Sequence, residues 1–556
     1  MVVKRRVLQL LLIALLAFVA VACNNSTGSG TQTSGTQQSG GGSGSAGSTG
    51  GTAGSGGGAA AEDDSGVAKE GFPIVKEPIK LTFFAGKAAS APADWNSLPV
   101  WQEYAKMTNI EVDFQLTPAE SLAEKRNLVL AGGDYPDAFH TSRLTTTDLM
   151  NYGSQGIFIP LNDLIDQYAP NFKKFLEENP EVKKGITLPD GNIYGFPTIY
   201  AADFKSVLIG QKLWYNQAFI DALNISEPKT TEEFYQYLKK IKTTDINGNG
   251  QQDEVPYVAS GYGSLLDELK GAWGLGNRGN VHNRVDLDPQ TGELRFIPTD
   301  PRFKELLQYM NRLYSEGLLH ENIMTITGAE ANALMDEGIV GASVVNSPHA
   351  IGGVTIENFV GAPALIGPYG DQIFSRARSP LIDLGAFVIT DKNKYPEATV
   401  RWIDYFYSEE GSKLFFMGIE GLSYTVQPDG TLEYTEEAKK DMNSFVSWAG
   451  GWYPALLTSK TFKGGEATPP SMAAAEKVAP QWPEEVWPPF TYTADELLRF
   501  TPLQTDINKY VSEMTDKFIT GDAPFSEWDN YVSTIQKMGL KDYLEIYKAA
   551  YERYKN

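Results

Sequence analysis

Short apolar runs alternate with helix-length segments from residue 79 onward, and that alternation limits the fold more than any other feature of the chain. Ile79–Ala85 reads as a strand ending at Gly86, Val100–Met107 as a helix, and Ile110–Leu116 as a second strand. Ser121–Ala131 is helical and closed by Gly132-Gly133, a third strand enters over Tyr135–His140, and Leu144–Gly153 is helical again. Strands interleaved with helices of this length imply an α/β architecture, a mainly parallel sheet covered on both faces. Binding groups in such sheets gather at the carboxyl ends of strands. Gly86-Lys87 and His140–Arg143 are therefore expected on one rim.

A later stretch carries a different chemistry. Thr230 and Glu233 form a capping box, and Phe234, Leu238 and Ile241 share one face of the helix that follows. That helix delivers the chain into Asp245–Glu254. Asp245, Asn247, Asn249 and Asp253 take positions 1, 3, 5 and 9 of a cation loop, with Gly250 at the sharp turn and Gln251 placed to offer its backbone carbonyl. The departure from an EF-hand is Pro256 where the bidentate Glu normally stands, and Glu254 is the available substitute. A plain Asn-Gly turn needs no alternating row of oxygen side chains, so the stretch reads as a structural Ca²⁺ loop.

The N-terminus sets the compartment. Lys4, Arg5 and Arg6 precede an apolar run over Val7–Val21, so Met1–Ala22 reads as a secretory signal. The only cysteine of the 556 residues, Cys23, sits where that signal would be cut. A lone cysteine cannot staple a fold. Residues 24–61 are almost wholly Gly, Ser, Thr, Gln and Ala, a flexible tether with an end-to-end distance of about 35 Å. The net charge of −22 argues against nucleic-acid binding and against folded-body contact with anionic lipid.

No catalytic constellation stands out. The four histidines form no HExxH pair, there is no P-loop, and no thiol remains within the folded part. Aromatic residues are the better signal, because a small-molecule cleft combines flat apolar platforms with a few polar hydrogen-bonders. Trp95, Trp273, Trp448, Trp452 and Tyr453 lie in rim or Gly-rich segments and are candidate ligand platforms. His140 at a strand end is a candidate hydrogen-bonder, and Arg378 a candidate grip on a carboxylate.

Several stretches together resemble a known family. Leu130–Phe139 (LAGGDYPDAF), Tyr194–Thr198 (YGFPT), Ser206–Asn216 (SVLIGQKLWYN) and Pro228–Phe234 are similar to type 1 extracellular solute-binding proteins, the receptors of ABC importers; the likeness runs over about residues 75–556. It implies a two-lobed periplasmic-binding-protein-like fold (type II), each lobe a mainly parallel sheet flanked by helices, with the ligand cleft between lobes. The expected division is 1–22 signal, 23–71 lipidated cysteine and linker, 72–202 with 385–435 as lobe 1, and 203–384 with 436–556 as lobe 2. The cation loop resembles that of the alginate/oligosaccharide-binding subgroup. In that likeness Asp245, Asn247, Asn249, Gln251 through its carbonyl, Asp253 and Glu254 are the Ca²⁺ ligands.

The segment before Cys23 resembles a lipoprotein box, with Ala20 where Leu is usual, and implies a palmitate-type lipid on Cys23. The implied protein is a monomeric, non-enzymatic receptor held on the outer face of the cell membrane by its lipid. It captures an oligosaccharide or other small solute by lobe closure and hands it to ABC permease subunits. A ligand-sensing lipoprotein serving a sensor kinase and a surface glycan-active enzyme are the alternatives.

Overall fold

The pattern that starts at Ile79 folds into a six-stranded sheet. The computed structural model describes residues 66–89, 91–348, 358–448 and 453–556. The signal segment, Cys23, the tether over 24–61 and Trp452 lie outside them. In chain order the strands are β1 (Ile79–Lys87), β2 (Ile110–Pro118), β3 (Ala138–Leu144), β4 (Gly195–Tyr200), β5 (Lys212–Asn216), β6 (Val255–Tyr257), β7 (Val285–Leu287), β8 (Leu294–Phe296), β9 (Val340–Val345), β10 (Phe359–Gly361), β11 (Leu381–Ile389), β12 (Tyr424–Val426), β13 (Leu432–Tyr434) and β14 (Leu456–Leu457). Lobe 1 holds the order β14-β4-β11-β3-β1-β2 and lobe 2 the order β10-β5-β9-β6, while β7-β8 and β12-β13 are separate hairpins.

Each main sheet contains one strand that runs against the rest. In lobe 1 it is β11, antiparallel to both β3 and β4, while β1–β2, β1–β3 and β4–β14 are parallel. In lobe 2 it is β5, antiparallel to β9 and β10, while β6 and β9 are parallel. The reversed strand is in both cases the one that enters from the other lobe: β5 follows β4, and β11 follows β10. A strand that crosses at the rim must start there and run away from it, whereas its neighbours end there.

The two cores are chemically alike. Strands covered on both faces bury nearly every residue, as β4 and β5 do throughout. In lobe 1, Trp101 stacks on Trp402 at 5.6 Å between ring centroids, and Phe83 meets Trp402 edge-on at 5.2 Å. Lobe 2 centres on Trp214, Tyr215, Phe234 and Tyr237, all essentially inaccessible. Truncating a ring such as Phe83 to Ala costs about 3–5 kcal/mol in a core of this kind.

Three differences from the expected layout have plain causes. β11 starts at Leu381 rather than 385. Residues 436–462, expected in lobe 2, carry Val446, Trp448, Tyr453, Ala455, Leu457 and Phe462 into the lobe 1 core, because β14 pairs with the edge of β4. The C-terminal helical stretch is two helices, Trp528–Lys537 and Leu540–Lys555, parted at Gly539 with φ 100°, a left-handed conformation that glycine adopts freely. Among the described residues no helix is long and apolar enough to cross a membrane.

Candidate ligand cleft and calcium loop

Lobe 1 presents a rim built by the ends of β1, β3 and β4 and the start of β11. Thr141 donates from Oγ1 to Gly86 O at 2.6 Å, and a Cβ on Gly86 would stand 2.4 Å from Thr141 O. β1 and β3 are thus held closer at the rim than any side chain at Gly86 would permit. Thr141 and Arg143 both have positive φ, 50° and 54°, unusual for residues with a Cβ. Buried Arg126 offsets that strain by donating to the carbonyls of Ser142 and Arg143. The Arg143 side chain is exposed and near Asp383 of β11. Burial pushes the Asp383 carboxyl up to about 6, against the Gly385 N–H and the charges of Arg143 and Arg126.

Where the chain passes between lobes, polar groups from three crossing segments converge. Tyr200 at the end of β4 interacts with the Tyr453 hydroxyl and feels the charges of Arg378, Glu466 and Asp383. Lys212, at the entry to β5, is fully buried and donates to Gly210 O at 3.1 Å and Asn346 O at 3.0 Å. Burial pushes its ammonium down to about 8, with Glu466 and Glu268 pulling the other way. Glu268 lies between Lys212 and Arg376; burial drives its carboxyl up to about 7 and leaves Oε2 without a partner. Arg376 donates to Ser264 O at 3.1 Å and to Gln211 Oε1, and sits 3.7 Å from Asp267.

Two of the sequence candidates, Arg378 and Tyr453, meet at this crossing; Trp95, His140, Trp273 and Trp448 do not, and Trp452 lies outside the described residues. Trp95 is 3% exposed and packs edge-on against Phe114 and His140. His140 is itself inaccessible, and burial lowers its imidazole to about 3. Trp273 is 3% exposed against Tyr309. Trp448 is a core plug, its Nε1 donating to Phe416 O at 2.8 Å and its ring lying on Phe462 at 5.0 Å. These four expected contacts are corrected to packing residues in the observed arrangement, since neighbouring core side chains cover each ring. Tyr200, Asp383 and Glu466 were not picked out by sequence. The position of Tyr200 directly after the apolar run of β4 is the signal that could have found it.

A separate cavity of about 480 Å³ is lined by both lobes. Lobe 1 lines it with Lys183, Lys184 and Leu188, and lobe 2 with Phe490, Arg553 and Tyr554. Gly185 in the same helix packs on Leu381, where a Cβ would meet its Cδ2 at 2.8 Å, so the cavity adjoins the start of β11. Lys184 lies 6.0 Å over the Tyr554 ring. The cavity exists only while the lobes hold this relation.

The Asp245–Glu254 loop lies at the opposite end of β6 from the cleft. Its backbone wraps around acceptors: Asp245 takes N–H groups of Gly248 and Asn249 on Oδ1 and of Gly250 on Oδ2, at 2.8, 3.2 and 2.8 Å. Asn247 and Asn249 turn amide groups to Asp253 at 3.0 and 2.8 Å. Gly248 and Gly250 have φ 71° and 80°, which allows the tight wrap. Glu254 Oε1 accepts from Ile246 N at 2.5 Å and Asn247 N at 3.1 Å, while Oε2 is buried with no partner. An all-oxygen donor set with one orphaned carboxylate oxygen fits a hard cation. Among the described residues no cluster of three or more His, Cys, Asp or Glu is positioned for a metal; half of this donor set is Asn and Gln.

The chain belongs to the family described as bacterial extracellular solute-binding protein, which it matches over residues 91–413. The fructooligosaccharide ABC transporter substrate-binding protein FusA of Streptococcus pneumoniae is 30% identical over 507 residues, covering 87% of this chain and 92% of that protein. The polygalacturonan/rhamnogalacturonan-binding protein YtcQ of Bacillus subtilis is 23% identical over 474 residues, 82% and 88% of the two chains. Among solved structures, FusA with kestose has a TM-score of 0.74 at 27% identity, over 86% of this chain and 99% of that one. Another FusA structure is of an EF-hand mutant. The alginate-binding protein AlgQ2 without calcium, at 21% identity and TM-score 0.72, shares the two-lobed fold.

Proposed function

We propose that the chain is the receptor of an ABC importer and captures an oligosaccharide between its lobes, with a fructooligosaccharide as the first candidate. The observation that carries this reading is the crossing itself. Tyr200, Tyr453, Arg378, Glu466 and Asp383 bring phenol, guanidinium and carboxylate groups together where two lobes meet, the chemistry a polyhydroxylated ligand requires. The 30% identity to FusA over most of both chains favours the fructan. Ligand contacts from both lobes select the closed arrangement, and a closed receptor is what permease subunits engage.

In the same reading residues 72–202 with 381–462 form lobe 1, and 203–380 with 463–556 form lobe 2. Cys23 carries the lipid that holds the protein on the outer face of the membrane as a monomer. Asp245, Asn247, Asn249, Gln251, Asp253 and Glu254 hold a structural Ca²⁺, whose role is to fix the approach to β6. The deciding experiment is calorimetric titration with kestose and a panel of other oligosaccharides, paired with solution scattering. Saturable binding with compaction is the expected result. No binding across the panel removes the carbohydrate assignment.

A further inference from the structure

Two more cavities adjoin the inter-lobe one in succession through shared wall residues. The second, about 200 Å³, shares Pro489 and Phe490 with it as a common wall. The third, about 130 Å³, shares Asn283 and Arg284 with the second. One side of the row follows the helix Leu540–Lys555. Tyr543 and Tyr547 line the second cavity and Tyr554 the first, positions whose spacing places them on one helix face. The rise of 1.5 Å per residue puts Tyr543 and Tyr554 about 16 Å apart. The helix Ala494–Thr520 makes the other side, with Gln504 and Asn508 at the second cavity and Ser512 and Thr515 at the third.

Every cavity has a buried polar atom without a hydrogen-bond partner among the residues of its wall: Arg553 Nε in the first, Asn508 Oδ1 in the second, and Arg284 Nη1 in the second and third. Buried polar atoms are nearly always paired, and an unpaired one marks a partner the chain itself does not supply. Two of these atoms donate and one accepts, so a hydroxyl serves all three. Unpaired donors and acceptors repeated from one cavity to the next suit the hydroxyls of a chain of sugar residues better than one compact solute.

We propose that the row is an extended glycan groove, in which the inter-lobe cavity holds one end of the ligand and the second and third cavities on lobe 2 hold residues beyond it. The proposal rests on the oligosaccharide reading above. It assigns to this chain a preference for ligand length that the crossing residues alone would not produce.

The test is calorimetric titration of the secreted chain with an inulin-type ladder from trisaccharide to hexasaccharide, repeated on a glycan array carrying other length ladders. The variants are Gln504→Ala, Asn508→Ala and Thr515→Trp, the last filling the third cavity; melting curves confirm that each is folded. The expected result is an affinity that rises by about tenfold with length. The alanine variants should flatten that rise, and Thr515→Trp should cut only the longest ligands, with trisaccharide affinity kept within about twofold. A flat length dependence, or variants that weaken short and long ligands alike, overturns the groove while the receptor reading stands. Absence of binding to every ladder overturns both.

Discussion

A methyl group added to Gly210 would stand 2.5 Å from Cζ of Arg378. The guanidinium lies flat against the bare backbone of the first crossing, and the Arg378 N–H donates to Leu208 O at 2.9 Å. Two crossing segments are locked by a contact that only glycine permits, at φ 57° and ψ −125°. Gly210→Ala meets both the clash and the strained backbone, so a loss of about 1–3 kcal/mol in unfolding free energy is expected. Ligand affinity should change as well, because Arg378 must move. Urea denaturation with titration checks both; unchanged stability and affinity would show that the contact is slack.

Trp448 offers a direct contrast between a packing ring and a sugar platform. With 7% of its surface exposed and its indole N–H bonded to Phe416 O, Trp448→Ala should cost about 3–5 kcal/mol of stability. Trp448→Phe should cost much less, keeping the ring and losing about 1 kcal/mol for the hydrogen bond. Sugar affinity of the folded fraction should stay within about twofold of the parent in both variants. A large affinity loss with little change in stability would restore the platform role.

The cation loop is tested by metal removal. Binding confined to the folded state stabilises it by about 2.7 kcal/mol at a hundredfold excess over Kd. A chelator should therefore lower Tm by several degrees, Ca²⁺ should restore it, and Glu254→Gln should abolish the difference. Sugar binding at low temperature should survive, because the loop lies across lobe 2 from the cleft. An unshifted melt together with metal-free native mass spectra would remove the calcium assignment.

Glu268 gives stability a definite pH slope. Its folded carboxyl is raised to about 7 from 4.5, so the folded chain keeps a proton that the unfolded chain has released. This contribution is fully present below about pH 4.5 and is lost as pH rises to about 7. His140 and His282, lowered by burial to about 3 and about 4, act in the opposite sense and lose stability as pH falls below the ordinary imidazole value. Glu268→Gln removes only the first effect. Stability at pH 7 relative to pH 4.5 should rise by on the order of 2 kcal/mol compared with the parent, read from urea midpoints at both pH values. Identical profiles for parent and variant would show that the Glu268 carboxyl keeps its ordinary pKa in the folded chain.

Sequence made the alternation, the rim segments and the tight turn at Asp245–Glu254 legible because each depends on local spacing. The runs read at 79–85 and 110–116 became β1 and β2, and the capping box at Thr230 and Glu233 closes at 3.1 and 3.0 Å. Partners distant in sequence were not legible. Nothing local says that Trp448 faces Phe416 rather than solvent, or that Tyr200 will meet Tyr453 some 250 residues later, at |i−j| close to that of the Thr198–Tyr453 bond, 255. The aromatic candidates were chosen by composition and neighbouring glycines, and both properties serve a core as well as a binding face. Arg378 was legible as a charge at a crossing, whereas its bed on Gly210 required the fold.

The reversed strand in each sheet orders assembly in time. All four strands of the lobe 2 sheet lie between Lys212 and Gly361, so their pairing partners exist once that segment has been made. β11 sits between β3 and β4, in the middle of the other sheet, and ends only at Ile389. Until the ribosome has passed that point, lobe 1 is two unjoined pieces, with β3 open along one edge and β4 along both. The sheet that begins first is completed last, and its central strand arrives only after the chain has already traced the sheet of its neighbour.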